Sequence, residues 1–472
     1  MDIIPANLVN QTHPQYDLFL PVWNKCRDLY LGEEAVKKNA HRNRYLLRPH
    51  RMADGAWVEY VERANLLGLF ASTVEGRVGD VVRKGATLQG NDALQEFWDT
   101  MTLLGEDLDG VGSQIIRELL ITGRVCALLD FSQEANRFYV SVYRAEDLMH
   151  WQANAIGEPT VLVLREKDWE FTEHSKTEVD VRLVLTMEEE GYVARRYANK
   201  GGWVLVNETA PKGRGGKLEK IPAIVFNVDH LGLPCSDPPM THLSNLIISL
   251  FRNSADYEQG LHALGVPTPV VTGIRKEDMT DQTLGPSTPI ILEPPDAKVS
   301  FLEFSGQGLS QLKQAMDEKV LQAVMLGARL VQPRRQVESA ESARTRMGAE
   351  TSLLNILVQN TESGLYEMSE RFLEWAGGAG VEFTLELNRD FVDEEFNPDA
   401  LRAINDAELQ GIISPMTAFN LRKRFEIYPD GWTFEEERDN LDTMGTDAKK
   451  PPEEPPQPVK VELAGIAEDE EE

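Results

Sequence analysis

Between residues 306 and 377 two amphipathic helical runs flank a proline and a cluster of arginines, and no other stretch constrains the chain more. Leu309, Leu312, Met316, Val320, Ala323 and Val324 recur every three or four residues, which predicts a helix from 306 to about 327 with one apolar face. Pro333 cannot continue that helix and biases Gln332 away from helical angles. Ser339, Ser342 and Thr345 then offer capping hydroxyls before Met347, Leu354, Leu357, Leu365, Met368, Phe372 and Trp375 resume near-heptad spacing, which Gly377 and Gly378 end. The result is a basic loop carrying Arg329, Arg334, Arg335, Arg344 and Arg346 between two rods.

Upstream, the order is helices first and strands second. Tyr16, Phe19, Leu20, Trp23, Cys26 and Tyr30 have helical spacing, with Trp23 expected in the core. Residues 57–82 predict one amphipathic helix in which Trp57, Val61, Ala64, Leu67 and Phe70 share a face, and 106–123 predict another, stopped by Gly123. From VCALLDF to IPAIVFN, at residue 227, short branched and aromatic segments are separated by Gly, Asn or Pro, a meander of strands. This is an α+β order and not an alternating β-α-β one. The glycine-rich PKGRGGKLEK (211–220) lacks the phosphate-loop spacing, since Leu218 stands where Ser or Thr is required, so it predicts a solvated hairpin.

A long helix from 238, with Leu243, Leu246, Ile247, Leu250, Tyr257 and Leu261 in phase, leads into a small module: a strand at PTPVVTG, a short helix at KEDMTDQTL, and strands at PIILEP and KVSFLEF. After the second rod come a strand over 381–391 and two short helices, 398–411 and 414–428, the latter capped by Ser414 with Pro415 at its first position. Past Gly445 proline and acid dominate, a composition that cannot form a packed core and predicts a disordered tail.

The 472 residues carry 48 basic and 77 acidic side chains, a formal charge of −29, which disfavours a protein whose main task is gripping phosphates. Such acidity serves solubility, or it lets DNA pass without sticking. No apolar run approaches the about 18 residues needed to span a bilayer, and the start has no basic region followed by an apolar stretch. Cys26, Cys126 and Cys235 are scattered, which predicts neither disulfides nor a zinc site, and the eight histidines have no ligand spacing. No nucleophile elbow, zinc-protease helix or Rossmann glycine triplet is present, so a structural protein without cofactor or metal is expected. The basic loop carries two readings: pairing with Glu338, Glu341 and Glu350, or contact with a polyanion or a neighbour's carboxylates.

The order long helix, small α/β insert, long helix, charged loop, long helix resembles the portal protein of tailed bacteriophages. WVEYVERANLLGLFASTVEGRVGDVVRKG, LITGRVCALLDF with YRAEDLMHWQ, and SAESARTRMGAETSLLN are similar to a portal-type domain family catalogued as of unknown function, and the resemblance covers about residues 14–440. It implies a wing over 1–235, a descending stem helix over 236–265 and a clip over 266–304. An ascending stem helix over 305–328, a tunnel loop over 329–343 and a long wing helix with a strand over 344–397 follow. A small helical crown over 398–445 and an acidic proline-rich tail over 446–472 complete the chain. The implied assembly is a ring, typically dodecameric, at one capsid vertex of the virion, put together in the host cytoplasm without a membrane. Double-stranded DNA passes through it during packaging by the terminase motor and during ejection. The partners implied are that motor, a head-to-tail adaptor, and the major capsid and scaffolding proteins. The arginines of the loop would line the DNA channel, and Leu246, Leu250, Leu312 and Met316 would make the stem contacts between subunits. Two alternatives stand beside it: a terminase-like DNA-processing enzyme, and a head-to-tail adaptor ring.

Overall fold

Proline at the first helical position and a capping His13 start α1 (Pro14–Leu31), just after a 3-10 turn at Leu8–Asn10. In this computed structural model the described residues are 8–41, 44–171, 176–214, 216–265, 268–272, 298–302, 307–328, 340–378, 380–391, 398–424, 427–428 and 432–447. The expected core tryptophan, Trp23, is fully buried on α1. After α2 (Glu33–Ala40) the predicted single helix over 57–82 is two, α3 (Asp54–Arg63) and α4 (Leu69–Val82). The break has a tertiary cause. The Ser254 hydroxyl accepts the Asn65 N–H at 3.0 Å and donates to the Asn65 carbonyl at 2.8 Å, while Glu33 accepts the Leu66 N–H at 3.0 Å. Backbone groups that a continuous helix would pair internally are thus paired elsewhere, and Leu67, expected on the apolar face, is exposed.

A short β1 (Thr87–Gln89) and the unforeseen α5 (Asp92–Asp99) follow, the latter capped by Asn91, whose side chain accepts the Leu94 N–H at 2.9 Å. Helix α6 (Leu108–Thr122) ends as expected at Gly123, which takes the left-handed φ of 75° and packs so closely on Pro238 that a Cβ would lie 3.0 Å from its Cα.

The β region makes two sheets. One has β2 (Arg124–Ser132) between β3 (Arg137–Arg144) and a returning strand; the other is a five-stranded antiparallel meander of β4 (Leu148–Ala153), β5 (Pro159–Phe171), β6 (Lys176–Glu188), β7 (Gly191–Asn199) and β8 (Trp203–Thr209). The predicted hairpin at 211–220 forms from β9 (Lys212–Gly213) and β10 (Gly216–Lys217), and β11 (Ala223–Asn227) closes the first sheet beside β2.

That first sheet is a partition. Because side chains alternate across a strand, Val125, Ala127 and Leu129 of β2 with Ile224 and Phe226 of β11 face one core, built with α3 to α6, while Cys126, Leu128, Ala223 and Val225 face a second core shared with Tyr16, Trp23 and the meander. Arg27 of α1 crosses between these layers. It is buried and donates to both Glu118 of α6 and Glu146 of the 3-10 turn Ala145–Asp147, with Nε to Glu146 Oε1 at 3.0 Å and Nη1 to Glu118 Oε1 at 2.9 Å. Burial alone would lower the pKa of this guanidinium, but the two carboxylates hold it above its ordinary value.

The rest of the first unit, Met1–Phe391, is α7 (Thr241–Gly265), the paired strands β12 (Thr268–Thr272) and β13 (Lys298–Leu302), α8 (Gln307–Met325), α9 (Ala340–Ala376) and β14 (Thr384–Glu386), which pairs with β1. The strand expected over 381–391 is therefore only three residues long. The helix and strand expected at KEDMTDQTL and PIILEP lie outside the described residues, as do 329–339 and the tail from 448. The second unit, Val392–Glu472, holds α10 (Pro398–Leu409), α11 (Pro415–Arg424) and an unforeseen α12 (Phe434–Asp447). Ser414 caps α11 as expected, accepting the Thr417 N–H at 3.2 Å. Phe419 joins this unit's elements by stacking on Tyr428 and meeting Phe434 edge-on.

Helix α9 lies on β11 with no gap at Gly364, where a Cβ would sit 2.0 Å from the fully buried Phe226 ring. Gly364→Val is expected to lower unfolding free energy by about 3 kcal/mol or more, since neither the helix backbone nor the ring can yield without opening the core. Urea denaturation of the variant checks this; a loss within measurement error would mean the contact is looser than described.

Candidate functional site

The helix pair α7–α8 is a feature of the first unit that leaves part of its apolar surface exposed. Helix α7, about 37 Å long at 1.5 Å per residue, starts in the body: Leu243, Ile247, Ile248, Leu250, Phe251 and Ala255 are buried in the main core. Its last five residues, 261–265, are all exposed. Two hydrogen bonds from α3 brace the middle, Tyr60 Oη to Asp256 Oδ1 at 2.6 Å and Arg63 Nη1 to Gln259 Oε1 at 3.1 Å. Burial first, and Asp256 second, raise the Tyr60 pKa above its ordinary value, so the phenol stays a donor.

Helix α8 returns alongside. Gly260 of α7 meets Leu309 near the start of α8, and nearer the body Ser249 meets Lys319, whose Nζ donates to the Ser249 Oγ at 2.8 Å, so the two helices run antiparallel. Burial holds the Lys319 ammonium below its ordinary pKa. At the far end the strands β12 and β13 pair from Thr268 opposite Leu302 to Thr272 opposite Lys298. Ala323 and Ala328 are buried in the main core and Met316 and Val320 pack against it, yet Leu261 (40%), Leu321 (49%) and Met325 (69%) are left open to solvent. Lys313 and Asp317 pair at 3.2 Å on an exposed turn of α8.

The sequence-derived site residues fall in three places. Leu250 belongs to the main core, and Leu246 and Met316 pack against that core, while Leu312 is half-buried. Arg329, Arg334 and Arg335 lie outside the described residues. Arg344 and Arg346 are not on a loop: α9 begins at Ala340, so both sit in its first turns. The reason is local, since Ala340, Glu341 and Ala343 are good helix formers and Pro333 is too far back to forbid a helix there. The sequence reading passed over Gly260, Ser249, Lys319 and the α3 brace. Gly260 did carry a signal, because an isolated glycine within a strong helical pattern marks a close approach.

Among the described residues no group of histidine, cysteine, aspartate and glutamate is placed to hold a metal ion, and no helix is long and apolar enough to cross a membrane. The family described as a domain of unknown function, DUF4055, matches residues 239–376, from just before α7 to the last residue of α9. No curated protein matches the sequence. Three similar solved structures come from gene transfer agent (GTA) particles. A chain from the neck of an empty GTA particle computed with C6 symmetry is 12% identical, with a TM-score of 0.41 over 76% of this chain and 90% of that one. One from the neck of a native GTA particle computed with C12 symmetry is 13% identical, with a TM-score of 0.36 over 75% and 89%. One from the virion of a native GTA particle is 13% identical, with a TM-score of 0.40 over 82% and 98%.

The close approach at Gly260 gives a test of the pair itself. A Cβ there would lie 2.5 Å from Leu309 Cδ2, so Gly260→Val should push the helices apart and destabilise by about 1–3 kcal/mol, whereas Gly260→Ala, which gains helix propensity, should be milder. Thermal unfolding of both variants checks the order; equal effects would mean that Leu309 simply moves aside.

Proposed function

We propose that this chain is a ring-forming structural subunit of a tailed-phage-type particle, a portal through which double-stranded DNA passes. The observation that supports this reading best is the half-covered α7–α8 pair. Two helices alone cannot bury an apolar stripe on every side, and a neighbouring copy set beside the pair would cover Leu261, Leu321 and Met325. Repeated head to tail, such a heterologous contact builds a ring when its rotation closes. In this reading α7 and α8 are the stem, 266–304 the clip that meets the motor and the adaptor, 329–343 the tunnel loop, α9 the long wing helix and 398–445 the crown. The chain acts as a conduit without catalytic chemistry of its own.

Leu246 and Leu250 are poor probes of such a contact, because changing them damages the subunit's own core. Leu321→Asp with Met325→Asp is the better pair: both side chains are exposed, so the subunit should fold while the assembly loses its large species in light scattering. Electron microscopy of the unaltered protein should show rings with a central hole. A globular monomer with ATPase activity would sink the proposal.

The loop arginines supply a second test of the same reading. Around a ring they form a sparse basic collar inside an acidic tube, able to touch phosphates without holding them. Arg334→Ala with Arg335→Ala should leave ring mass unchanged and alter DNA packaging or retention, with an effect that shrinks as salt rises. Loss of the ring in that double variant would instead assign these arginines to carboxylates of their own or a neighbouring subunit.

A further inference from the structure

A strap of the chain, residues 8–13, lies against the five-stranded sheet ahead of α1 and is tied down at both ends. Val9 is buried in a small cluster with Val163 of β5 and Val184 of β6, with Val161, Tyr197 and Trp203 packed around it. Asn10 Oδ1 accepts the Trp203 indole N–H at 2.6 Å. At the other end the His13 N–H donates to the Met149 carbonyl of β4 at 2.9 Å, and Thr12 Oγ1 donates to Asp17 at 3.0 Å.

Two further contacts at this end use an imidazole nitrogen as acceptor. His13 Nδ1 accepts the Gln15 N–H at 3.2 Å and so caps α1, a role that requires its lone pair. His150 of β4 is buried, with its Nδ1 turned to the Thr12 backbone without a well-formed hydrogen bond, and its Nε2 accepts from the Gln152 amide at 3.3 Å. The two imidazoles lie 6.2 Å apart, and His13 stacks on Trp151 at 4.0 Å. That indole also has the Arg124 guanidinium of β2 over it at 4.3 Å. Arg124 is fully buried, and its Nε and Nη2 make no hydrogen bond. Its Nη1 is held by the Leu233 carbonyl and the Cys235 sulfur and not by a carboxylate.

We propose that His13 and His150 form an acid-released latch, which frees the strap from the sheet and uncovers the valine cluster beneath it. Protonating His13 removes the cap acceptor and sets a cation at a helix N-terminus, where the helix dipole repels it. The charged groups facing it from the packed elements are His150 of β4 and Arg124 of β2, both of which oppose a new cation, and Asp17 of α1, which favours one but is exposed and already engaged by Thr12. Attraction of the indole for a second cation is offset by the guanidinium already over it. Burial, and for His13 also His150 and Arg124, lowers both pKa values below the ordinary 6.5, against the smaller opposing effects of Asp17 at His13 and of the Thr12 backbone at His150. With the folded value depressed, the neutral form is favoured by the fold, so the latch is fully closed above 6.5 and weakens as pH falls below it.

Hydrogen exchange on the full chain at about pH 7.5 and about pH 5.5, either side of the histidine range, tests this once rates are corrected for intrinsic exchange. Amides of 8–15 should lose protection several-fold at the lower pH, while those of α6 stay unchanged. His13→Asn with His150→Gln keeps a capping oxygen but no titrating ring, and should hold the strap equally at both pH values. His13→Asn alone, at the exposed end of α1, should halve the response and serves if the double variant does not fold. Unchanged strap protection in the unaltered chain, the same loss in the variants, or an equal loss in α6 would each overturn the latch.

Discussion

The contact between α9 and β11 sets the position of nearly everything else in the first unit. Gly364 leaves the space that the Phe226 ring fills, and polar bonds on either side fix the helix along its length. Asn360 donates to the Val228 carbonyl at 2.8 Å, Trp98 of α5 donates to Ser369 at 3.0 Å, and Arg371 donates to the carbonyls of Ile221 and Ala223 at 2.5 and 2.9 Å. The Trp375 carbonyl accepts the Arg214 N–H of the β9–β10 hairpin at 3.3 Å. Carbonyls at the start of β11 and just beyond its two ends are satisfied by the helix laid across them, so the helix cannot slide without leaving buried groups unpaired. Helices α6 and α7 then pack in the same core as α9, and the direction in which the α7–α8 pair leaves the body follows from that seat.

On the other side of the partition sheet, polar burial does a different task. The Arg27 network joins α1, α6 and the start of the meander, and its value lies in geometry more than in net stability, since desolvating three charges offsets most of their attraction. Arg124 is the contrasting case. It sits on β2 with a ring, a carbonyl and a sulfur for partners and no carboxylate bonded to it, so a second cation brought near it meets repulsion. Fold and titration are coupled at that point, because burial first, then His150, and then the same cation that lies over Trp151 lower the His13 pKa.

Where burial follows a simple period, the sequence was readable. The ends of α6, the span of α7 and α8, the strands β2, β3, β5 to β8 and β11, and the hairpin at 211–220 all follow from periodicity and glycine placement. The failures have identifiable sources. The break between α3 and α4 depends on Ser254, nearly two hundred residues downstream, and has no local signal. Strands β1 and β14 are three residues each and exist only as each other's partner. Helices α5 and α12 did have signals: the Asn91 cap, and a reciprocal box in which Thr433 N–H donates to Glu436 at 2.8 Å while the Glu436 N–H donates to Thr433 at 3.3 Å. Of the candidate site, the apolar residues of α7 and α8 were recognisable as helical, but periodicity cannot tell a face turned to the core from one left exposed. Leu250 is buried in that core and Leu321 is exposed.

That distinction bears on how copies of so acidic a chain would associate. At −29 per subunit, repulsion between neighbours acts over the Debye length, about 8 Å at physiological ionic strength. An interface built on ion pairs would have to overcome this field with contacts that salt weakens equally. An apolar stripe does not have that weakness: its gain, about 25 cal/mol per Å² removed from water, is untouched by screening. Salt then lowers the repulsion while leaving the attraction in place. Among the described residues, the ion pair Lys313 with Asp317 on the same helix as Leu321 and Met325 is exposed and can contribute little. If the α7–α8 stripe is where copies meet, assembly is driven by apolar burial against a charge that screening reduces, and the pair's rigidity, set through α9 and β11, determines the angle at which each copy is added.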